Sequence, residues 1–314
     1  MPHLPPLSAA PTPAAPGQRP PPRGERTKRL GVPRPGALLP GVLLLSALLL
    51  GSPAPARADC FADTPVIEAH EQNYLLLYSE DHRVLRERDG RMPQEFIFQF
   101  SIRRNLLSCD WVPLYFGYTQ RSFWQLYDWD GSAPFRESNY HPELFVDYRL
   151  TWLKDTPWGL RLGIEHESNG QRDPLSRSWN RTYGKVSYAT EALGWSLRAW
   201  DRWNEGVKHP PLDPLGDDNP DLQSYRGSWE AQGIWRMNRF FQFGGLLRVG
   251  KADRGHPVSG QVDADYCCIG NGIWVRLELY RGYGDNLIDY NRDVTRFGFG
   301  FAVKEQADLR LQVR

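Results

Sequence analysis

Residues 158–168 read WGLRLGIEHES, and every second side chain from Trp158 to Ile164 is apolar. In a β-strand, side chains two residues apart project from the same face. That face ends on His166 and Ser168, whereas the opposite face carries arginine, glycine and two glutamates. An apolar outside with a polar inside is typical of a barrel strand immersed in lipid. The stretch therefore predicts an all-β fold, an antiparallel transmembrane β-barrel, with an imidazole and a hydroxyl facing outward.

Ten further segments between residues 95 and 303 alternate in a similar way: 95–104, 111–120, 143–153, 181–189, 196–202, 225–236, 240–248, 262–268, 273–280 and 295–303. Short turn-rich pieces such as 154–157 and longer polar loops such as 213–221 separate them. We expect about twelve strands in one continuous domain. The aromatic content of 13%, with 12 Trp, suits aromatic belts at two membrane boundaries. On pattern alone, a soluble aromatic-rich β-sandwich remains open.

The N-terminal region reads as a targeting segment. Residues 1–58 combine a long Pro- and Arg-rich prefix with an apolar run at 36–51, which predicts a signal peptide cleaved before Asp59. The run contains Pro40 and is shorter than the roughly 20 residues of a spanning helix, so a retained anchor is the less favoured alternative. We assign residues 59–93 to an N-terminal periplasmic arm, 94–303 to the barrel and 304–314 to a charged C-terminal tail.

Charge and cysteine content restrict the function further. Without residues 1–58, which hold seven basic and one acidic side chain, the net charge is about −5, and no basic patch predicts a nucleic-acid partner. After residue 58, no apolar run approaches 18 residues, which argues against helical membrane spans. In an oxidising compartment Cys60 could pair with Cys109, but the connectivity of these and of Cys267 and Cys268 stays open.

The chemistry concentrates between His166 and Asn180. A serine hydroxyl is a weak nucleophile unless a base takes its proton, and the base needs a third group to fix its tautomer. His166 can be the base for Ser168. Asn180 begins the next alternating segment, so a hairpin would return it beside His166 across the ladder. A neutral amide orients an imidazole but gives an imidazolium less charge support than a carboxylate would.

The run 166–181, HESNGQRDPLSRSWNR, resembles the outer-membrane phospholipase A family, whose signature is His-x-Ser-Asn-Gly closed by Ser-Arg-Ser-Trp-Asn-Arg. The resemblance extends to residues 118–120, 124–126, 132–140, 217–221, 282–284, 287–291 and 295–296. It implies a twelve-stranded barrel in the outer membrane of a Gram-negative bacterium. It also implies hydrolysis of acyl esters of glycerophospholipids and lysophospholipids at a site on the outside of the barrel.

The resemblance also assigns roles to individual residues. His166 matches the general base, Ser168 the nucleophile and Asn180 the amide that orients the histidine. The backbone amides of Ser168 and Gly170 match an oxyanion hole. Such a hole needs a small residue where the chain approaches the developing negative oxygen.

Calcium and dimerisation are implied in the same way. The calcium contacts fall on Ser132, the backbone carbonyl of Gln171 and Ser176, with a weaker position at Asp173 and Asp218. All are hard oxygen donors, as Ca²⁺ prefers. The family forms a calcium-dependent homodimer in which Ser132 contributes to the neighbouring site. Gln120 matches a polar residue at the intramembrane dimer contact; the alternative for Gln120 is a lumen-facing glutamine.

Two non-enzymatic alternatives remain at the level of sequence. The first is a barrel acting as a passive pore or structural outer-membrane protein, which would conduct ions and ignore serine-directed reagents. The second is a soluble lectin-like sandwich, which would be extracted without detergent. The tail after residue 303 departs from the pattern of barrels, whose chains commonly end near a terminal aromatic residue.

Overall fold

The computed structural model describes residues 67–84, 89–109, 112–149, 157–206, 208, 216–251, 255–267 and 272–304. These residues form thirteen strands and one short helix: β1 (Ile67–Ala69), β2 (Asn73–Asp81), β3 (Gln94–Cys109), β4 (Val112–Trp124), β5 (Phe135–Arg149), β6 (Trp158–Ser168), β7 (Ser178–Ala189), β8 (Leu193–Arg202), α1 (Leu222–Arg226), β9 (Trp229–Arg236), β10 (Phe241–Val249), β11 (Val258–Cys267), β12 (Ile273–Gly282) and β13 (Val294–Val303). The expected signal peptide and the tail after residue 304 lie outside the described residues.

Twelve of the strands close into a barrel. Each strand from β3 to β12 pairs antiparallel with its successor in the chain, and β2 pairs with both β13 and β3, which completes the ring. The short β1 pairs with residues 102–104 of β3, next to the part of β3 that pairs with β2. The predicted antiparallel barrel of about twelve strands is confirmed. Closure leaves no open edge of unpaired backbone groups, as a membrane-spanning sheet requires.

The predicted boundary at residue 93 is wrong for β2, which belongs to the barrel wall and not to an N-terminal arm. Its sequence NYLLLYSED lacks the two-residue alternation of the other strands. The physical reason is a register shift between Leu76 and Ser79 in the pairing with β3. Such an irregularity changes which face successive side chains occupy. Leu76 is fully buried inside the barrel, whereas Leu77 is exposed outside.

The barrel wall separates charged from apolar side chains in the predicted sense. In β12, Arg276 and Glu278 are 0% exposed, whereas Leu277 and Leu279 between and beside them are 44% and 57% exposed. The buried charges are paired with one another on the lumen side of the wall, for example Arg296 Nη2 of β13 with Glu278 Oε1 of the adjacent β12 at 2.8 Å. Pairing of this kind offsets the cost of removing charges from water. Among the described residues, no helix has the length and apolarity of a membrane span.

Aromatic side chains cluster at both ends of the wall. Trp158 contacts Tyr188 and Trp195 at the end where the short turns lie. At the other end, where the longer loops lie, Trp124 stacks on Phe135 and meets the edge of Phe96. Two such girdles flank the apolar band of a barrel in lipid. The residues singled out from the sequence lie at the end with the longer loops.

Candidate active site

The β6–β7 hairpin brings together the three residues that sequence reasoning linked. His166 lies directly opposite Asn180 in the ladder, and Ser168 lies opposite Ser178. His166 Nδ1 and Asn180 Oδ1 are 2.8 Å apart. Because an amide oxygen only accepts, Nδ1 carries the proton, and the lone pair of Nε2 is left for a neighbouring hydroxyl. This is the tautomer that a general base requires.

The outward orientation of His166 and Ser168 is fixed from the lumen side. Glu167, between them, is 0% exposed and points into the barrel. Its carboxylate accepts hydrogen bonds from Trp179 Nε1 and Arg226 Nη1, each at 2.7 Å. Because successive side chains of a strand point to opposite faces, anchoring Glu167 inside holds His166 and Ser168 on the outer face. Both outward side chains are partly exposed.

The loop that follows β6 is organised by Asn169, a residue to which the sequence reading gave no role. Asn169 is 3% exposed. Its Oδ1 accepts from the backbone amides of Gln171 at 3.2 Å and Arg177 at 3.0 Å, and its Nδ2 donates to the carbonyl of Leu175 at 2.8 Å. One side chain thus closes the whole loop from 169 to 177. Its position next to Ser168 in the sequence indicated a place in the site, but residue spacing could not predict its hydrogen-bond partners in the loop.

Gly170 occupies a backbone conformation that favours glycine. Its φ is +63°, and a Cβ at this position would lie 3.2 Å from Cε2 of Tyr140. Tyr140 is the β5 neighbour of Ser168 in the ladder. Both the positive φ and the ring therefore favour glycine here, where a small residue was predicted.

A cluster of one hydroxyl, two carboxylates and one ammonium group lies on the neighbouring loops. Ser176 Oγ donates to Asp218 Oδ2 at 2.5 Å, although the two residues are 42 positions apart. Lys208 Nζ donates to Asp173 Oδ1 at 2.8 Å and to Asp218 Oδ1 at 2.6 Å. Partial burial raises the pKa of Asp218, but the hydrogen bonds from Lys208 and Ser176 outweigh it and hold that pKa below its usual value. Lys208 was not foreseen from the sequence.

The other two predicted calcium contacts, Gln171 and Ser132, lie at exposed loop positions. Gln171 is exposed on the loop, and Ser132 is exposed on the loop between β4 and β5 with a φ of +63°. Within the described residues, no group of three or more His, Cys, Asp and Glu side chains is positioned to hold a metal ion. Asp173 and Asp218 nevertheless share the ammonium of Lys208, and the Ser176 hydroxyl lies against the second oxygen of Asp218. This donor chemistry fits Ca²⁺.

Gln120 faces outward, so the lumen-facing alternative is excluded. Its chain neighbours Thr119 and Arg121 line the interior cavity. The Gln120 amide is satisfied within its own chain: Oε1 accepts from the Tyr118 hydroxyl at 3.0 Å, and Nε2 donates to Ser122 Oγ at 3.0 Å. Gln120 pairs with Tyr140, which in turn pairs with Ser168. Two strand spacings, about 10 Å, therefore separate Gln120 from the serine.

These positions can support acyl transfer. A hydroxyl lies two residues from an imidazole of the correct tautomer, a third side chain orients the ring, and a turn with a left-handed glycine follows the hydroxyl. Such a turn directs backbone amides toward one point, which is the requirement for an oxyanion hole. The group opens to the outside of the barrel wall.

Comparison with known proteins places the chain among lipid hydrolases. The Phospholipase A1 family model matches residues 57–303. Phospholipase A1 of Klebsiella pneumoniae is 32% identical over 264 residues, covering 77% of this chain and 84% of the relative. The corresponding Proteus vulgaris protein is 31% identical over 258 residues, covering 75% and 81%.

Solved structures agree. The outer membrane phospholipase A of Escherichia coli superposes with a TM-score of 0.64 at 27% identity, covering 77% of this chain and 99% of that one. The Salmonella typhi outer membrane phospholipase, described as a dimer with bound calcium, superposes with a TM-score of 0.65 at 25% identity, covering 80% and 95%.

Proposed function

This chain belongs to the phospholipase A1 family, and from its site geometry we infer that Ser168, His166 and Asn180 carry out the hydrolysis. The protein is an outer-membrane phospholipase, a carboxylic ester hydrolase acting on phospholipids. Its substrates in this proposal are glycerophospholipids and lysophospholipids. The observation that carries the assignment is the 2.8 Å contact between His166 Nδ1 and Asn180 Oδ1 on the outer wall, two residues from Ser168.

The proposed reaction is acyl transfer in two steps. Ser168 Oγ attacks the ester carbonyl while His166 Nε2 takes its proton. The backbone amides of Ser168 and Gly170 stabilise the oxyanion, and the returned proton leaves with the alcohol, a lysophospholipid or its glycerol remnant. Water activated by the same imidazole then releases the fatty acid from Ser168. Throughout, Asn180 keeps a proton on Nδ1 of His166, so that Nε2 is always the nitrogen that exchanges protons with the serine, the alcohol and water.

We propose calcium as the cofactor. Ser132, the carbonyl of Gln171 and Ser176 would hold one ion, and Asp173 with Asp218 a second, weaker one. Calcium would supply additional positive charge next to the oxyanion. The support from the structure is that Asp173 and Asp218 share the Lys208 ammonium, while the Ser176 hydroxyl binds the other oxygen of Asp218. The support from similarity is the calcium-bound Salmonella typhi structure.

We further propose that the active form is a homodimer assembled through the outer face around Gln120. Ser132 is exposed on the loop next to that face, where a second subunit could receive it. A partner seated over Gln120 would lie about 10 Å from Ser168 and would complete an apolar cleft for the acyl chain. A lone subunit would then hold the reactive residues without the complete site.

The decisive experiment is fatty-acid release from mixed phospholipid–detergent micelles by purified protein, titrated with calcium. Ser168→Ala should retain the heat-resistant barrel and lose hydrolysis, with Ser178→Ala, the neighbouring β7 serine, as the matched control. Substantial activity in the folded Ser168→Ala variant would remove Ser168 from its role. EDTA should silence the wild type, and full turnover after chelation would exclude the calcium assignment.

The passive pore is the second candidate, but the lumen does not favour it. Inside the barrel, charged side chains of the strands meet charges from the loop after β12 and from α1: Arg121 contacts Asp285 at 3.0 Å, and Glu167 contacts Arg226 at 2.7 Å. Such pairs lie in the lumen, where a conduction path would have to run.

A further inference from the structure

The amide of Asn180 is held from both sides. Its Oδ1 faces His166, and its Nδ2 donates to Glu205 Oε1 at 2.6 Å. Glu205 lies 25 residues further along the chain, in the segment after β8. That segment stays beside β7 because the Trp203 backbone amide donates to the Asn180 carbonyl and its indole donates to Thr182 Oγ1, both at 2.9 Å.

Glu205 determines which way the Asn180 amide points. The two ends of an amide differ only in whether they donate or accept. An ionised carboxylate can only accept, so the NH₂ end of Asn180 is directed to Glu205 and the carbonyl end is left for His166. Reversal would place the NH₂ group against Nδ1 and move the ring proton to Nε2, where it would block proton abstraction from Ser168.

Glu205 also supplies the charge that the asparagine lacks. A carboxylate that accepts from one end of an amide polarises it and makes the opposite oxygen a better acceptor. The negative charge then stabilises the imidazolium that forms when His166 takes the serine proton. Other ionisable groups nearby are engaged elsewhere: Arg202 pairs with Asp217 at 2.6 Å, and His141 with the lumenal Glu167 at 2.8 Å. Tyr140 and the exposed Asp201 lie on the flanking strands β5 and β8, and the hairpin loop carries Arg172, Asp173 and Arg177. Of these, Asp173 pairs with Lys208 at 2.8 Å and Arg177 donates to the carbonyls of Pro174 and Ser176.

We propose that Glu205 is a positioning residue of the hydrolase, the last member of a relay Ser168–His166–Asn180–Glu205. It acts through Asn180 and does not touch the substrate. This inference rests on the proposed role of Ser168 and His166, and it assigns to a loop carboxylate the charge that aspartate provides in a Ser-His-Asp triad.

The test compares Glu205→Gln, Glu205→Ala and the control Asp201→Asn, which removes a nearby β8 charge without contacting Asn180. Glu205→Gln can still accept from Asn180, so kcat/KM should fall about 3- to 10-fold. The acidic limb of its pH profile should move to lower pH by on the order of half a unit, because the imidazolium loses a stabilising charge. Glu205→Ala frees the amide to reverse, and kcat should fall about 100-fold with KM little changed. Asp201→Asn should match the wild type in both respects.

A double substitution separates this role from simple structural support. Asn180→Asp alone places two carboxylates at hydrogen-bond distance, where they must share a proton and no longer fix the ring. Adding Glu205→Gln supplies a donor to the new aspartate, so the double variant should exceed Asn180→Asp by about tenfold in kcat/KM.

The outcomes distinguish the two levels of inference. Ser168→Ala, measured alongside, reports on the hydrolase assignment itself. If Ser168→Ala is inactive but folded Glu205→Gln and Glu205→Ala retain wild-type kcat/KM and pH profile, the Glu205 proposal is overturned and the hydrolase assignment stands. The Glu205 proposal also fails if the double variant is no better than Asn180→Asp.

Discussion

Replacing Gly170 with alanine should lower kcat by about two orders of magnitude while the barrel stays folded. At a φ of +63°, a residue with a Cβ carries strain of about 1–2 kcal/mol. The added Cβ would also lie 3.2 Å from the Tyr140 ring, so the ring or the loop must shift by a few tenths of an ångström. We expect the loop to relieve both by rotating the backbone amide that is proposed to face the oxyanion.

The magnitude follows from the loss of one oxyanion donor. Removing such a donor typically reduces kcat by about 10²–10³, equivalent to about 2.7–4 kcal/mol of transition-state stabilisation. The strain itself is confined to a loop outside the barrel wall and leaves the strand ladder intact. KM should change little, because the lost interaction is made only in the transition state.

The assay is fatty-acid release from mixed micelles at saturating calcium, with heat-modified electrophoretic mobility as the folding check. Gly90→Ala is the matched control. Gly90 has nearly the same φ, +64°, on the loop between β2 and β3, and nothing lies within 4 Å of its would-be Cβ. It should keep kcat within about twofold of the wild type. If Gly170→Ala behaves like Gly90→Ala, the oxyanion role of this loop is wrong.

Three further outcomes are expected. Lys208→Met removes the cation between Asp173 and Asp218, so the calcium concentration for half-maximal binding should fall about 3- to 10-fold in calorimetric titration; an unchanged affinity would argue against calcium at these carboxylates. Asn169→Ala leaves backbone donors of the loop without their acceptor, which costs about 1–3 kcal/mol for each donor. We therefore expect kcat to fall at least about tenfold and protease to cut the loop faster. A loop as resistant to protease as that of the wild type would refute this role. Gln120→Leu should weaken dimerisation in sedimentation equilibrium by about tenfold, and dimers as stable as the wild type would place the subunit contact elsewhere.

The sequence was sufficient where the deciding geometry is local. The alternation in β6 predicted which face His166 and Ser168 occupy, and hairpin pairing predicted that Asn180 returns beside His166; both depend on neighbouring strands only. The same reasoning missed β2, because a register irregularity at Leu76 breaks its alternation.

Longer-range contacts could not be read from spacing. Glu205 and Lys208 reach the site from the segment after β8, whose path depends on the closed barrel and on backbone bonds to β7. Loop carboxylates and lysines carry no periodic signal, so only the folded chain shows that they meet Asn180, Asp173 and Asp218. The calcium contacts on Ser132 and Gln171 are implied by family resemblance alone.

The placement of His166 and Ser168 on the outside of the wall has a kinetic consequence. Lipid molecules reach these residues by sideways diffusion within the bilayer leaflet or micelle, without passing through the barrel. Turnover should therefore follow the mole fraction of phospholipid at the interface, so that adding inert detergent at constant bulk phospholipid slows the reaction by surface dilution. The rate is governed by a two-dimensional concentration, and the composition of the surrounding film regulates the enzyme as directly as any soluble effector could.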